Sequence, residues 1–241
     1  MSRGERARGE APIHLRPTAA LAERVLLPGD PGRALALAQS LLSEPLMFNH
    51  HRGLWGYTGA ARDGEPLTIQ ATGMGGPSAA IVLWELIALG ARRAIRLGTC
   101  GALAPSLALG DLIIAREALC LDGTSRALGT GERVAADASL TEALVRAAPS
   151  ARVGTVASVD LFYDGPEPAG GRIDKDAGAL ALEMEAAALF ALGASAGVPV
   201  ACVLAVSDTF AASGARERID DRSLLEAAER MGAAAAAALS A

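Results

Sequence analysis

The sequence predicts an α/β fold, with a three-layer α/β/α arrangement around a central mixed, largely parallel sheet. Short apolar runs alternate with helix-length amphipathic stretches along the chain. Glycine- and proline-rich breaks separate them, as at strand-to-helix turns of parallel sheets. The 241 residues show no internal repeat or linker, which predicts a single domain over residues 12–241. Residues 1–11 are polar and lack the apolar segment of a signal peptide, which predicts a flexible N-terminus.

The first half of the chain predicts two strand–turn–helix units around a hairpin. Glycine and proline break the chain after the first strand, Asp63-Gly64 is a hairpin turn signal, and Gly90 stops a helix. The predicted elements are a strand at Val25–Leu27, a helix ending near Leu42, strands at Tyr57–Ala61 and Leu67–Ala71, a helix from Pro77 to about Leu89, and a strand around Arg96.

The second half continues the alternation and ends in a helix. The predicted elements are a strand at Asp111–Leu121, a polar loop over 122–137, a helix over 139–148, a strand at Val153–Val159, a surface loop at Gly165–Gly171, a strand at Ala179–Leu182 running into a helix through Ala196, a strand at Val200–Val206, a polar loop from Asp208 to about Asp221, and the final helix.

Composition excludes several classes of protein. Hydrophobic residues make up 51% and charged residues 20%, so most of the chain is not disordered. A net charge of -5 argues against broad binding of nucleic acid, and no stretch is long and apolar enough to span a membrane. The three cysteines lie in apolar runs without paired spacing, which predicts reduced core thiols in a cytoplasmic protein. No CxxC or histidine pair suggests a metal site.

Arg96 lies inside an apolar run, Ala94–Gly101, that reads as a buried central strand. A lone charge there is costly unless a partner compensates it. Two partners are open: an anion bound at the end of the sheet and shared with Thr99, or a distant buried carboxylate such as Glu183 or Glu185.

Two further breaks contain groups that suit a binding site. Gly29 to Arg33 joins a strand to a helix N-terminus, which favours phosphate, although the lysine of a P-loop is absent. Glu183 and Glu185 sit at a strand-to-helix junction, where a carboxylate can accept hydrogen bonds from a vicinal diol or simply favour the helix terminus. Asp208 ends an apolar strand, where burial lets a carboxyl hold a proton and act as a general acid; helix capping is the alternative.

Taken together, these motifs resemble the nucleoside phosphorylase superfamily, in particular the hexameric bacterial-type purine nucleoside phosphorylases. The resemblance extends from His14 to the last helix. It is carried by seven motifs in order: Gly29-Asp30-Pro31-Gly32-Arg33, Arg52-Gly53-Leu54-Trp55-Gly56-Tyr57-Thr58-Gly59, Gly73-Met74-Gly75-Gly76-Pro77-Ser78, Arg96 to Gly101, Asp160-Leu161-Phe162-Tyr163, Glu183-Met184-Glu185-Ala186 and Val206-Ser207-Asp208.

The resemblance implies phosphorolysis of purine nucleosides to free base and ribose or deoxyribose 1-phosphate, with inorganic phosphate as co-substrate and no other cofactor. It implies catalytic roles for Asp208, Arg96 and Glu185. The implied phosphate ligands are Gly29, Arg33, Arg96, Thr99 and a neighbouring subunit's Arg52; the ribose ligands are Met74, Met184, Glu185 and a neighbour's His14; the base contacts are Phe162, Leu182, Glu183, Ser207 and Asp208.

The same resemblance implies a homo-oligomer, a hexamer built as a trimer of dimers, with sites completed in trans. It also implies an arginine beside Asp208, for which Arg216, Arg218 and Arg222 are candidates. The alternatives are a uridine phosphorylase, a methylthioadenosine or nucleoside hydrolase on the same fold, and a non-catalytic nucleoside binder. Base preference stays open at this point, because a carboxyl at position 208 can donate or accept.

Overall fold

A computed structural model describes residues 11–163, 178–210 and 215–241 of the chain. Its centre is a mixed sheet of eleven strands. The strands are β1 (Arg24–Pro28), β2 (Ser43–Asn49), β3 (Gly56–Ala60), β4 (Pro66–Gln70), β5 (Arg93–Ala102), β6 (Leu112–Cys120), β7 (Arg133–Ala135), β8 (Arg152–Ser158), β9 (Ala179–Glu183), β10 (Val200–Phe210) and β11 (Arg216–Arg218).

Six α-helices lie in the described residues. They are α1 (Pro31–Leu41), α2 (Gly76–Leu89), α3 (Gly123–Ala127), α4 (Ala138–Ala147), α5 (Ala186–Ala196) and α6 (Asp221–Leu239); a short 3₁₀ turn spans His51–Gly53. None of these helices is long and apolar enough to cross a membrane. Strands and helices alternate as the sequence predicts, and the class is the predicted α/β.

Parallel pairs form the middle of the sheet, and antiparallel pairs connect and extend them. Strands β4, β1, β5 and β10 are parallel neighbours, and β6, β8 and β9 form a second parallel set. Antiparallel pairing of β10 with β6 and of β5 with β9 joins the two sets, so five strands close into a ring. The ring brings the ends of β5, β9 and β10 together, which is where the polar motifs lie.

Helices cover both faces of the sheet, as the predicted three layers require. Helices α2 and α5 pack together on one face, where Leu83 and Phe190 join one apolar cluster. Helices α1, α4 and α6 cover the other face around Leu37, Leu144 and Met231. Because strand side chains alternate, β5 contributes to both clusters. The cysteines are free and buried, and burial raises the pKa of Cys100 and Cys202, which keeps these thiols protonated.

The sequence analysis missed several short elements. The predicted polar loop over 122–137 contains α3 and β7, and the predicted loop after Asp208 contains the end of β10 and the strand β11. The edge strand β2 was not predicted, since it contains Pro45 and most of its residues are exposed. The predicted surface loop Gly165–Gly171 lies outside the described residues, as does the predicted flexible terminus apart from Ala11.

Candidate active site

The polar motifs converge because their strands run side by side. In the sheet, Leu27 of β1 and Cys202 of β10 both pair with Arg96 of β5. The strands are parallel, so the turns that follow them meet at one edge, the usual position of a ligand in such sheets. The turn after β1 also touches the turn after β4, where the Thr72 amide donates to the Pro28 carbonyl at 2.9 Å.

Arg96 is buried in the middle of β5, with 3% of its surface exposed. Its Nε atom donates to Glu183 at 3.0 Å, and its Nη2 atom pairs with Glu185. The internal carboxylates that the sequence left open are therefore its partners. Its Nη1 atom, however, has no hydrogen-bond partner within the described residues. A buried guanidinium nitrogen without an acceptor is costly, so this atom is a donor that an oxyanion would satisfy.

Glu183 is enclosed by donors on all sides. Its carboxylate accepts from Arg96, from the Ser158 hydroxyl, and from the backbone amides of Glu185 and Ala186 at 2.9 Å. Burial raises its pKa, although the charge of Arg96 opposes this. Within the described part of the chain, the donors to this carboxylate are all interior groups, so Glu183 supports Arg96 and the start of α5.

Glu185 is held at the entry to α5 by two donors. One carboxylate oxygen pairs with Arg96, and the other accepts from the Gly75 amide at 2.5 Å. Gly75 has a φ of 85°, a left-handed conformation that favours glycine. The Gly73–Ser78 turn thus aims one of its amides at the carboxylate, and the orientation of Glu185 is set before any ligand arrives.

Gly98 makes room for the arginine. A Cβ atom at this position would lie 2.6 Å from Nη2 of Arg96 and 2.7 Å from the Leu204 side chain. The missing side chain leaves space for the guanidinium on its way to the two carboxylates.

Arg33 lies in the first turn of α1, directly after the turn that follows β1. Asp30 caps α1 by accepting from the Arg33 amide at 2.6 Å. Burial lowers the pKa of the Arg33 guanidinium, and the positive charge of Arg96 lowers it further, while Asp30 opposes both. The charges of Arg96 and Glu185 both act on the Arg33 guanidinium, so Arg33 belongs to the electrostatic surroundings of this cluster.

Asp208 is buried at the end of β10 but is not protonated there. Its carboxylate accepts from Arg216 Nε at 2.7 Å and from the Ser207 hydroxyl at 2.7 Å. Burial raises its pKa, but these hydrogen bonds and the charge of Arg216 lower it more, to below its ordinary value. Burial is therefore opposed in the ligand-free site by Arg216, which stabilises the ionised form; the general-acid role of Asp208 stays a prediction.

The structure separates the three arginines that follow Asp208. Arg216 forms the direct pair, and Arg218 approaches to 3.7 Å from β11, which pairs with the end of β10. Arg222 instead pairs with Glu226 one turn further along α6, and its side chain is 89% exposed. Arg216 is thus the partner that the sequence could not choose.

Phe162 lies beside the same pair, and 48% of its surface is exposed. The guanidinium carbon of Arg216 sits 4.5 Å from the centre of its ring, a cation–π contact. The edge of Tyr163 packs against the ring with centroids 4.9 Å apart. Arg216 therefore links an aromatic face to the Asp208 carboxylate.

The remaining predicted residues surround these groups or lie on neighbouring elements. Thr99 is half-buried on β5 opposite Ala205, and Leu182 is buried on β9. Met184 is half-buried between β9 and α5, and Met74 is exposed between two glycines. Gly29 lies close to the Gly73 carbonyl. Sequence reasoning missed Ser158, Gly75 and Gly98, whose roles depend on contacts between distant segments.

His14 and Arg52 belong to two segments that meet at His51. The His51 ring contacts the His14 carbonyl at 3.0 Å, and Arg52 follows in an exposed left-handed conformation with φ of 59°. Asn49 and Gln70 hold this turn by donating to the Leu54 carbonyl at 2.5 and 2.9 Å.

Fold and site together define an α/β protein with a buried arginine–carboxylate cluster at the edge of a mixed sheet. The sequence profile of the Phosphorylase superfamily matches residues 23–241, and the chain belongs to that family. It is 37% identical over 208 residues to the "Purine nucleoside phosphorylase DeoD-type" of Caldanaerobacter subterraneus, covering 82% of this chain and 89% of that protein.

Two further relatives differ from each other in name: one is a purine nucleoside phosphorylase and the other a uridine phosphorylase. The "Purine nucleoside phosphorylase DeoD-type" of Geobacillus kaustophilus is 39% identical over 198 residues, covering 79% of this chain and 83% of its own. The "Uridine phosphorylase" of Thermococcus kodakarensis is 40% identical over 203 residues, covering 77% and 73%.

Proposed function

We propose that the protein is a purine nucleoside phosphorylase: phosphate displaces the base of a purine nucleoside and forms ribose 1-phosphate or its deoxy counterpart. The observation that carries the proposal is the buried Nη1 atom of Arg96, which has no acceptor within the described residues, in a cluster whose charges also act on a second guanidinium, Arg33. A hydrolase needs no such site for its water nucleophile. Inorganic phosphate is a co-substrate, and no other cofactor is required.

The phosphate and ribose would bind at the Arg96 cluster. Arg33, Arg96, Thr99 and the Gly29 amide hold the phosphate below the sugar, where its charge stabilises the oxocarbenium-like centre that forms at C1′. Glu185 is already oriented by Gly75 and Arg96, and its carboxylate accepts from the 2′- and 3′-hydroxyls. The exposed Met74 and the half-buried Met184 flank the sugar.

The base would stack on Phe162, next to Leu182 and in front of Ser207 and Asp208. As phosphate oxygen bonds to C1′, the bond to N9 breaks and its electrons pass into the purine ring. Asp208 relieves this charge by giving a proton to N7. Glu183, also predicted beside the base, supports Arg96, since its carboxylate accepts hydrogen bonds from Arg96 and Ser158.

Asp208 must gain a proton before it can donate one, because Arg216 keeps it ionised in the ligand-free site. A purine stacked on the Phe162 ring takes the face that the Arg216 guanidinium now covers. Moving that charge away removes the main cause of the lowered pKa, so burial, which favours the protonated form, is opposed only by the Ser207 hydrogen bond and the more distant charge of Arg218.

The proposed assembly is a homohexamer, a trimer of dimers in the cytoplasm, in which the partner's Arg52 and His14 complete each phosphate and ribose site. The exposed position of Arg52 and the half-exposed ring of His14 support donation to a neighbour. Light scattering that finds a fully active monomer would contradict it.

A substrate panel tests the function. Inosine, adenosine, guanosine, methylthioadenosine and uridine are each incubated with and without phosphate, and base and sugar products are separated by chromatography. We expect purine release that requires phosphate and yields a sugar 1-phosphate. Free ribose formed at the same rate without phosphate would indicate a hydrolase. Preferential cleavage of uridine would indicate a uridine phosphorylase, the name of one relative. A glutamine that reads the pyrimidine would be expected in that case, but neither glutamine of the chain, Gln39 or Gln70, is among the proposed base-site residues.

A further inference from the structure

Glu85 is a buried carboxylate that the site described above does not use. It is the one charged residue of the apolar helix α2, and only 6% of its surface is exposed. A carboxylate in such a place is costly unless hydrogen bonds replace its hydration. Its partners all come from one segment some seventy residues earlier in the chain, Ile13 to Leu15.

The hydrogen bonds of Glu85 hold both the backbone and the ring of His14. The carboxylate accepts from the amides of Ile13 and His14 at 3.0 Å and of Leu15 at 2.7 Å. It also contacts His14 Nδ1 at 2.7 Å. On the other side, the His14 carbonyl accepts from the His51 ring. The ring is thus oriented, while 29% of the His14 side chain stays exposed.

The chemistry of a carboxylate decides where the ring proton lies. Burial raises the pKa of Glu85, but the amide and ring hydrogen bonds lower it more, so the group is ionised at neutral pH. An ionised carboxylate only accepts, so His14 Nδ1 must carry a hydrogen. In the neutral ring, Nε2 is then left with its lone pair, facing away from Glu85.

We infer that Glu85 is a positioning residue for substrate recognition: it fixes His14 with Nε2 as an acceptor for the 5′-hydroxyl of a nucleoside bound by the neighbouring subunit. The inference rests on the proposed function, in which His14 completes the neighbour's ribose site. A site with a fixed acceptor selects nucleosides that carry a 5′-hydroxyl over 5′-deoxy analogues, because the analogue leaves the acceptor unsatisfied.

Selectivity between two substrates tests the inference. The ratio of kcat/KM for inosine to that for 5′-deoxyinosine is measured for wild type, Glu85→Gln, His14→Ala and the double variant. We expect Glu85→Gln to lower the ratio by about fivefold to tenfold, the range of one hydrogen bond. Glu85 acts through His14, so the double variant should match His14→Ala.

The ratio separates positioning from a structural role. Loss of folded enzyme lowers both kcat/KM values equally and leaves the ratio unchanged. An unchanged ratio in Glu85→Gln, with His14→Ala lowering it, would overturn the inference. Glu142→Gln is the matched control, because it removes the carboxylate of an exposed pair with Arg116 and should leave both substrates unaffected.

A second measurement does not depend on activity. Long-range ¹⁵N–¹H spectra of the full chain report the protonated nitrogen of each of its three histidines, and His14→Ala assigns the His14 signal. We expect the Nδ1-protonated form in wild type and its loss in Glu85→Gln. The Nε2-protonated form in wild type would overturn the inference even if Glu85→Gln fails to fold. An inactive wild type would refute the proposed function, while these spectra still decide whether Glu85 sets the proton.

Discussion

The two ends of the site differ in how firmly their groups are held. At the phosphate and ribose end, Arg96, Glu183 and Glu185 are buried and hold one another, with backbone amides as further donors. At the base end, Asp208 is buried, but its partner Arg216 is 33% exposed and comes from the short strand β11. The Arg96 cluster is thus preorganised by the sheet, whereas the position of Asp208 depends on partly exposed side chains.

This difference matches what each end has to recognise. In the proposed reaction the phosphate is always the same and the sugar varies little, so fixed dipoles there need no rearrangement. The base varies and changes its charge as the bond breaks, which suits groups that can move. Four substitutions test this comparison, from the largest expected effect to the smallest.

Arg96→Leu should be the most damaging change. It removes the shared partner of two buried carboxylates, Glu183 and Glu185, and leaves their charges uncompensated. We expect a loss of about 3–5 kcal/mol in the free energy of unfolding, measured in urea, together with loss of turnover. The control Arg116→Leu breaks an exposed pair with Glu142 and should cost under about 1 kcal/mol. Equal costs would show that the cluster is not preorganised.

Asp208→Ala should separate catalysis from binding. Phosphate and ribose contacts are untouched, so nucleoside affinity should change less than about tenfold, while turnover of inosine falls by about 10²–10⁴-fold. Calorimetry gives the affinity, and initial rates give the turnover. Asp221→Ala, an exposed residue of α6, should change neither quantity. Equal losses of affinity and turnover would indicate a binding role for Asp208.

Gly98→Ala should disturb the firm end without removing a charge. The added Cβ would lie 2.6 Å from Arg96 Nη2, and the packed sheet leaves the guanidinium little space to move. We expect a cost of about 1–3 kcal/mol in stability and a raised KM for phosphate. Gly131→Ala is the matched control, since nothing lies within 4 Å of its Cβ. A wild-type KM for phosphate would show that Arg96 does not need this space.

Arg216→Gln should have the smallest effect on stability. That effect should depend on pH. The paired Asp208 has a folded pKa below its unfolded value, so the pair stabilises the fold above about pH 4 and loses this effect as the pH falls through the folded pKa. The Tm difference between wild type and variant should therefore shrink below about pH 4. Arg222→Gln should show no such trend, because its partner is Glu226. A Tm difference independent of pH would contradict the pairing.

The alternation of apolar runs was enough to predict the long strands and helices, because each buries a periodic face. It could not predict β7, β11 or α3, which are three to five residues long and depend on neighbours such as β6 and β10. The unusual position of Arg96 pointed to the site from sequence alone.

The partners of these residues needed three dimensions. Glu183 and Glu185 lie 87 and 89 residues beyond Arg96, so the sequence could name them only as alternatives to an anion. The lowered pKa of Asp208 depends on Arg216, a contact across the β10–β11 pair that burial alone does not reveal. The role of Glu85 could not be predicted from the sequence, since its contact with His14 joins two distant segments of the chain.

Calorimetric titration of inorganic phosphate into the full chain tests the central claim, that Arg33 and Arg96 form one oxyanion site. We predict saturable binding by wild type, an affinity at least about tenfold weaker in Arg33→Met, and unchanged affinity in Arg222→Met, since a charge-assisted hydrogen bond contributes about 1.5–3 kcal/mol. Equal phosphate affinity in wild type and Arg33→Met would contradict it.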